Sequence, residues 1–363
     1  MLKVYAIKNG VESLINDGED IVISGTLKEA ELTIPTFDFE IYRSNKYFGL
    51  ISAMNTEIEV IDTLYNEVLF LGYVVGITTV ITNDGDVYKS VTCDGIEGYL
   101  RFSSVAMVAS LSAIDYTADT YSFGKIIEYR LACHNDFMTE ESRKFYYDEA
   151  DYSVSAKYID DKENNWESVK LCCQNCGRYL KAERKNGKNY LVSINTNQNS
   201  SGAYPEIRIG YNILEFKEEI DTGEIATCII PFGDYNPNNS LYRIDISEAN
   251  DGKIYLENQP LINKYGKIYK TVIYENGKTP WHVKRLAGGY KWNDTRGATF
   301  RYTVKGIDMS YYESKYSRLK LMNYYHLSAA VVSINVPVAQ LVEITRNLNN
   351  PALCDLVFKE VIK

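Results

Sequence analysis

The sequence predicts a mostly β chain with α+β insertions. Three features carry this reading. Apolar and polar residues alternate in short runs over residues 1–100, the period of strands with one buried face. Glycine-bearing turn sequences separate those runs, as at Asn83, Asp84 and Gly85. Helical spacing is confined to a few short stretches between longer β segments.

Taken in order, "ELTI" (31–34) and "FDFEI" (37–41) read as alternating strands, with Pro35 marking a bulge or an edge. "NTEIEVID" (55–62) sets Glu57 and Glu59 against Ile58 and Val60. A hairpin turning at 83–85 then leads into "KSVTCDG" (89–95), and strands this short and regularly turned predict a small barrel or sandwich. After Leu100 the texture changes. Phe123, Ile127, Leu131 and His134 share one side of a helix over 122–136. The acidic stretch from Asp148 to Asp161 reads as exposed strand and loop. A second helix begins near Asn165, and 179–194 reads as a hairpin turning at Asn186 and Gly187. The polar break at 197–205 marks the best single domain boundary. Strands resume at 212–220 and 224–234. Thr279 as N-cap, Pro280 at the first position, late Lys284 and Arg285, and a closing Gly288 delimit a short helix. Phe300, Tyr302 and Val304 share a face of a strand over 300–308, and the C-terminal segment is again β.

Composition excludes several classes. The chain has 363 residues and a net charge of −9, with no basic run of the kind that displaces counterions from nucleic acid. The most apolar segment, Ala329 to Val342, contains Ser333, Asn335 and Pro337, which is wrong for a membrane span. The N-terminus is broken by Lys, Asn and Asp before a signal-like apolar stretch develops. A soluble protein made in the cytoplasm is expected. Tyrosine is over-represented, with 31 copies against 12 Phe, which suits strands and subunit interfaces or, alternatively, a carbohydrate-binding surface.

The chemistry-bearing residues give little support to catalysis. His134, His282 and His326 are far apart, and no nucleophile elbow, zinc-protease helix or phosphate loop is present. His134 reads as a helix-end residue that packs or caps carbonyls, and His282 as exposed. The 83–86 run lacks the spacing and the late Glu of a calcium loop. Cys173 and Cys176 have C-x-x-C spacing, but no second pair supplies four zinc ligands. The motif also sits near a helix end, whereas a redox pair sits at a helix start. Val169, Cys172, Cys173 and Cys176 fall at i, i+3, i+4 and i+7, with Trp166 extending the face and Gly177 closing the helix. They read as core, since free Cys packs as a small hydrophobe. No catalytic, cofactor-binding or metal-ligating residue is expected.

Several stretches resemble one family. "EIEVIDTLYNEVLFLGYV" (57–74), "VTCDGIEGYL" (91–100), "LACHND" (131–136), "SVKLCCQNCGRYLKAERKNGKNYL" (168–191) and "EIATCIIPFGD" (224–234) carry the resemblance. "KYGKIYKTV" (264–272), "TVKGIDM" (303–309) and "TRNLNNPA" (345–352) extend it. In order and spacing they are similar to the N-terminal structural region of prophage endopeptidase tail proteins, the tail-tip or baseplate-hub proteins of phages of Gram-positive bacteria. The sequence departs from that pattern in a short helix at 280–289, in 319–327 without the usual glycine, and at Lys359 where glycine is common.

The resemblance implies a baseplate-hub-like fold with two small β-barrel-like tube domains and two inserted domains. The barrels would be residues 1–100 and, discontinuously, 205–243 with 318–363; the insertions would be 101–204 and 244–317. It further implies a homotrimeric ring joining the tail tube to the tip, with a channel that passes DNA or tape-measure protein without binding it. Implied partners are a distal tail protein or tube, the tape-measure protein, and receptor-binding or fibre proteins, all in the virion. Many relatives carry a peptidase, muramidase or fibre module after this region, which here is absent or lies beyond residue 363. The alternatives are a cell-wall-degrading tail lysin and a carbohydrate-binding tail adhesin.

Overall fold

The computed structural model describes residues 2–17, 22–104, 121–148, 155–156, 164–194, 204–221, 223, 225–237, 239–290, 292 and 299–361. The expected acidic loop over 149–154 and 157–161, and most of the 197–205 break, lie outside the described residues.

The first seven strands are β1 (Leu2–Lys8), β2 (Val11–Leu14), β3 (Val22–Ala30), β4 (Thr36–Tyr42), β5 (Glu57–Asp62), β6 (Glu67–Ile81) and β7 (Val87–Gly95). They pair antiparallel in the spatial order β3-β4-β7-β6-β5-β1-β2. Alternation sets the inner face: β5 buries Ile58, Val60 and Asp62 while Glu57, Glu59 and Ile61 stay half-buried. Val4, Phe37, Ile41, Ile58, Val60, Phe70 and Val91 share one core. The β6–β7 turn is the expected one, with Gly85 at φ 85°. "ELTI" is not a strand. Residues 31–34 form the turn between β3 and β4, where Leu32 takes φ 53°, so its alternation reflects packing of a turn.

After a 3-10 turn at Ile96–Phe102 come β8 (Tyr121–Ser122), α1 (Phe123–Phe137), β9 (Phe145–Tyr147), β10 (Ser155–Ala156), α2 (Asn165–Cys176), β11 (Leu180–Lys185) and β12 (Lys188–Ser193). The β11–β12 hairpin turns at Asn186 and Gly187, with φ 51° and 76°, as the sequence predicts. Asn164 caps α2 by accepting from the Glu167 amide at 3.0 Å, and Gly177 ends it at φ 62°. Cys172 and Cys173 are 0% and 1% exposed and pack with Trp166, Val169, Phe123, Ile127 and Leu131.

The chain continues through β13 (Glu206–Arg208), β14 (Ile213–Asp221), β15 (Cys228–Phe232), β16 (Tyr235–Asn236), β17 (Asn239–Arg243), β18 (Leu256–Glu257), α3 (Gln259–Tyr265), β19 (Tyr269–Ile273) and α4 (Pro280–Gly288). It ends with β20 (Thr299–Ile307), β21 (Tyr324–Ala329), β22 (Ile334–Asn347) and β23 (Leu353–Glu360). Two compact units result: Met1–Phe216 with Val304–Phe358, and Lys217–Thr303 with Lys359–Lys363.

In the first unit β22 joins β3 antiparallel, from Glu343 opposite Ala30 to Asn347 opposite Thr26. This pairing decides the architecture. It occupies the edge of β3 that closure of the N-terminal strands would need, so those strands form an open sheet. Among the described residues no sheet closes into a barrel; the mostly β, antiparallel character holds.

In the second unit β15 lies between β18 and β19, antiparallel to the first and parallel to the second. "EIATCIIPFGD" therefore pairs within residues 228–273 rather than with the C-terminal strands assigned to its domain. Gly233 passes against Gly277 so closely that a Cβ would lie 2.3 Å from the Gly277 carbonyl oxygen. Thr279 caps α4 as expected, accepting from the His282 amide at 3.2 Å. The helix α3, capped by Asn258, has no counterpart in the sequence expectations.

Thiol accessibility follows from this packing. Six of the seven cysteines are buried and only Cys176 is partly exposed. In the native protein a colourimetric disulfide reagent will titrate Cys176 first, and all seven will react rapidly only in denaturant. Fast native reaction of Cys172 and Cys173 would contradict the packing of α2.

Candidate functional site

A polar cluster of the first unit forms a clasp between the β5–β6 turn and the segment 308–322. Asp62 ends β5 with its carboxylate fully buried and accepts from the Leu64 amide at 3.0 Å, shaping the turn. Arg318 reaches it from the far end of the chain, donating from Nη2 to Asp62 Oδ2 at 2.9 Å and from Nη1 to Glu67 Oε2 at 2.8 Å. The Tyr311 hydroxyl donates to the same Asp62 oxygen at 2.5 Å, and the Tyr65 hydroxyl donates to the Ser310 carbonyl at 2.8 Å. The Arg318 guanidinium lies 4.9 Å from the Tyr65 ring centroid and 5.7 Å from that of Tyr311. Burial, then the bond to Asp62, pushes the Tyr311 phenol up.

A second arginine extends the clasp. Arg346, on β22, donates to the Leu319 carbonyl at 2.7 Å and stands 3.8 Å from both Glu29 and Asp308. Asp308 accepts from Ser310 Oγ at 2.6 Å and from the Leu319 amide at 3.1 Å. Together these bonds fold 308–319 onto the N-terminal sheet.

Beside the clasp lies a cleft of about 720 Å³, whose lining includes Glu29, Glu97, Lys181, Arg184, Arg318 and Arg346. Glu97 is 5% exposed and accepts from the Ala182 amide at 2.7 Å, which fastens β11 to the 3-10 turn. Burial drives its pKa up to about 7, against a lowering by that hydrogen bond. Glu29 is also raised by burial, with Arg346 opposing. Arg184 forms a two-pronged bond to Glu57 at 2.7 and 3.0 Å. These groups hold backbone and side-chain partners across the cleft wall, an arrangement that fixes segments to one another.

The histidines find separate surroundings. His134 is fully buried, as its helix-end reading requires. Its Nε2 lies 2.8 Å from the Arg143 carbonyl, which makes that nitrogen the donor, so Nδ1 accepts from Ser103 Oγ at 2.7 Å. Ser103 Oγ in turn accepts from Asn165 Nδ2 at 2.9 Å. A serine hydroxyl on a histidine resembles half of a hydrolase site. Here Ser103 is 3% exposed and burial lowers the His134 pKa, so the pair joins the start of α2 to the end of α1. Sequence reasoning missed Ser103 and Asn165; Asn165 as the first residue of α2 was its one visible signal. His282 is half-buried, a correction to its expected exposure, because it sits in the first turn of a helix whose next residue, Val283, is core. His326 bonds Asn335 at 2.5 Å.

The thiols of α2 are poor nucleophiles. Burial pushes Cys172 up to about 12 and raises Cys173 and Cys176 as well, which keeps them protonated at neutral pH. Among the described residues no three His, Cys, Asp or Glu side chains are grouped to hold a metal ion. No helix among them is long and apolar enough to cross a membrane.

The fold is similar to those of three solved tail proteins. The chain is similar in fold to a tail protein from Neisseria meningitidis MC58, with a TM-score of 0.62 at 13% identity, covering 99% of this chain and 96% of that one. The 43 kDa tail protein of prophage MuSo2 from Shewanella oneidensis gives 0.60 at 11%, covering 99% and 98%. Prophage tail protein gp18 from Listeria monocytogenes EGD-e gives 0.57 at 12%, covering 99% and 95%. Residues 200–360 match the model of the prophage endopeptidase tail family, which bears out the resemblance drawn from the scattered motifs. No curated protein matches the chain in sequence.

The clasp and the cleft can each be tested by substitution. Arg318→Met leaves the Asp62 charge buried without its partner and will cost about 3–5 kcal/mol of stability, read by denaturant unfolding. Adding Asp62→Leu will recover part of that loss, and equal damage in both variants would refute the pairing. Glu97 has a folded pKa above its unfolded one, so the native state binds the extra proton between about pH 4.5 and 7. Its contribution to stability is therefore full below that window and is lost as pH rises through it. Glu97→Gln will remove this slope, roughly 1–3 kcal/mol between pH 5 and 8; an unchanged pH profile would contradict the assignment.

Proposed function

We propose that the protein is a structural component of a phage tail tip, a baseplate-hub protein without catalytic residues. The observation that carries this reading is a tail-protein fold shared over 99% of the chain, together with the family match over residues 200–360. In this reading three copies form a ring that joins the tail tube to the tip and leaves an axial channel. The net charge of −9 supports a channel that repels DNA rather than holding it. Exposed large apolar residues, among them Tyr312, Val331, Leu241, Tyr242 and Trp281, support extensive contacts with neighbouring proteins. The neighbours are a distal tail protein or tube, the tape-measure protein, and receptor-binding or fibre proteins, in the virion.

The family's name carries an endopeptidase, so the reading is tested on both sides. Light scattering after size exclusion will give the mass of three chains, and zymography against bacterial cell walls will show no clearing. A monomer at all concentrations would overturn the ring, and clearing by purified residues 1–363 would overturn the non-enzymatic role.

A further inference from the structure

Tyrosine is the compositional excess of this chain, with 31 copies, and several of its rings meet in pairs. In most of those pairs the hydroxyls are directed elsewhere. Tyr73 and Tyr99 stack at 4.2 Å, but both are buried and the Tyr99 hydroxyl donates to Glu57. Tyr65 meets Tyr311 edge to ring, with one hydroxyl on the Ser310 carbonyl and the other on Asp62. Tyr146, beside Tyr190, donates to Glu141. Tyr211 and Tyr316 are arranged differently. Their hydroxyls are hydrogen-bonded to each other, their ring centroids lie 6.1 Å apart, and their planes cross at 56°.

Both phenols are carried on ordered turns. The Tyr211 amide donates to the Arg208 carbonyl at 3.2 Å, and the neighbouring Asn212 carbonyl accepts from the Ile307 amide at 2.8 Å. The Tyr316 amide donates to the Glu313 carbonyl at 3.1 Å. Cations flank the two rings: the Arg208 guanidinium is 5.5 Å from the Tyr211 centroid, and Lys315 Nζ is 4.9 Å from that of Tyr316. Tyr211 is 42% exposed and Tyr316 is half-buried, so an oxidant in solution reaches the pair. Bonded hydroxyls also bring together the ring carbons ortho to them. Those carbons carry unpaired spin in a phenoxyl radical, while the para position is blocked by the side-chain stem.

We infer that Tyr211 and Tyr316 are an oxidative cross-linking pair, joined by a one-electron oxidant through a carbon–carbon bond ortho to both hydroxyls. Hydrogen peroxide, acting through a haem peroxidase, takes one electron and one proton from each phenol and leaves as two waters. The two phenoxyl radicals couple at their ortho carbons. Each ring then passes its displaced ortho hydrogen to its own oxygen, so both phenols are restored and the pair has lost two hydrogens in all. The hydroxyl–hydroxyl bond already present is one the product keeps. The link joins residues 105 positions apart and ties the turn after β13 to the stretch between Tyr311 and Arg318 of the clasp. A bridge across so long a loop constrains the unfolded chain. The reaction needs a single chain, so it is independent of the ring proposed above.

Oxidation of the dilute, purified protein with a haem peroxidase and hydrogen peroxide tests it. Dityrosine fluorescence will grow at a rate per chain that does not depend on protein concentration. Peptide mass spectrometry will find residues 211 and 316 joined, two hydrogens lighter, as the first linkage to appear. Tyr316→Phe removes one hydroxyl and will slow the initial rate about fivefold or more, since the pre-set geometry is gone. Tyr312→Phe will leave that rate unchanged, although Tyr312 is 65% exposed. Oxidised protein without the 211–316 linkage overturns the inference, as does a Tyr316→Phe variant that reacts as fast as the wild type. An equal loss of rate in Tyr312→Phe would assign the reaction to exposure alone and overturn it too.

Discussion

The bond between Arg318 and Asp62 is the constraint around which the first unit is organised. A fully buried carboxylate at the end of β5 is tolerable only with a cation delivered to it, and the cation comes from 256 residues away. Its delivery requires the segment 308–319 to lie across the β5–β6 turn, which Asp308 and Tyr311 secure. Arg346 then ties that segment to β22, whose pairing with β3 makes one sheet from the two ends of the chain. The buried polar groups give these joints between distant segments a direction that apolar contact lacks.

Local chemistry was readable and long-range pairing was not. The turns at Gly85 and at Asn186 and Gly187 follow from backbone preferences that neighbouring residues alone determine. The helix ending at Gly177 was legible for the same reason, and its cysteines resolved into core because their spacing matched one face. By contrast, nothing in "ELTI" reveals that Leu32 adopts a positive φ, and a short alternating run fits a packed turn as well as a strand. The helix α3 leaves little periodic signal, since it is only seven residues long. The partner of β3 depends on a strand more than three hundred residues later, so an open sheet and a closed barrel predict the same alternation.

The candidate site shows the same division. That His134 packs at a helix end could be read from its place in the periodic pattern. That a serine and an asparagine from two other segments complete its hydrogen bonds could not. Nothing in the sequence marks Glu97, yet burial beside β11 moves its titration toward neutrality. Carboxylates and cysteines that look chemical one at a time become fasteners once their neighbours are known.

The central claim is a structural place at the tail tip, and cryo-electron microscopy of intact tails carrying this chain tests it most directly. The account predicts three copies in a closed ring between the tube and the tip, with an open axial channel. Density for this chain found elsewhere in the virion, or as single copies with no ring, would contradict it.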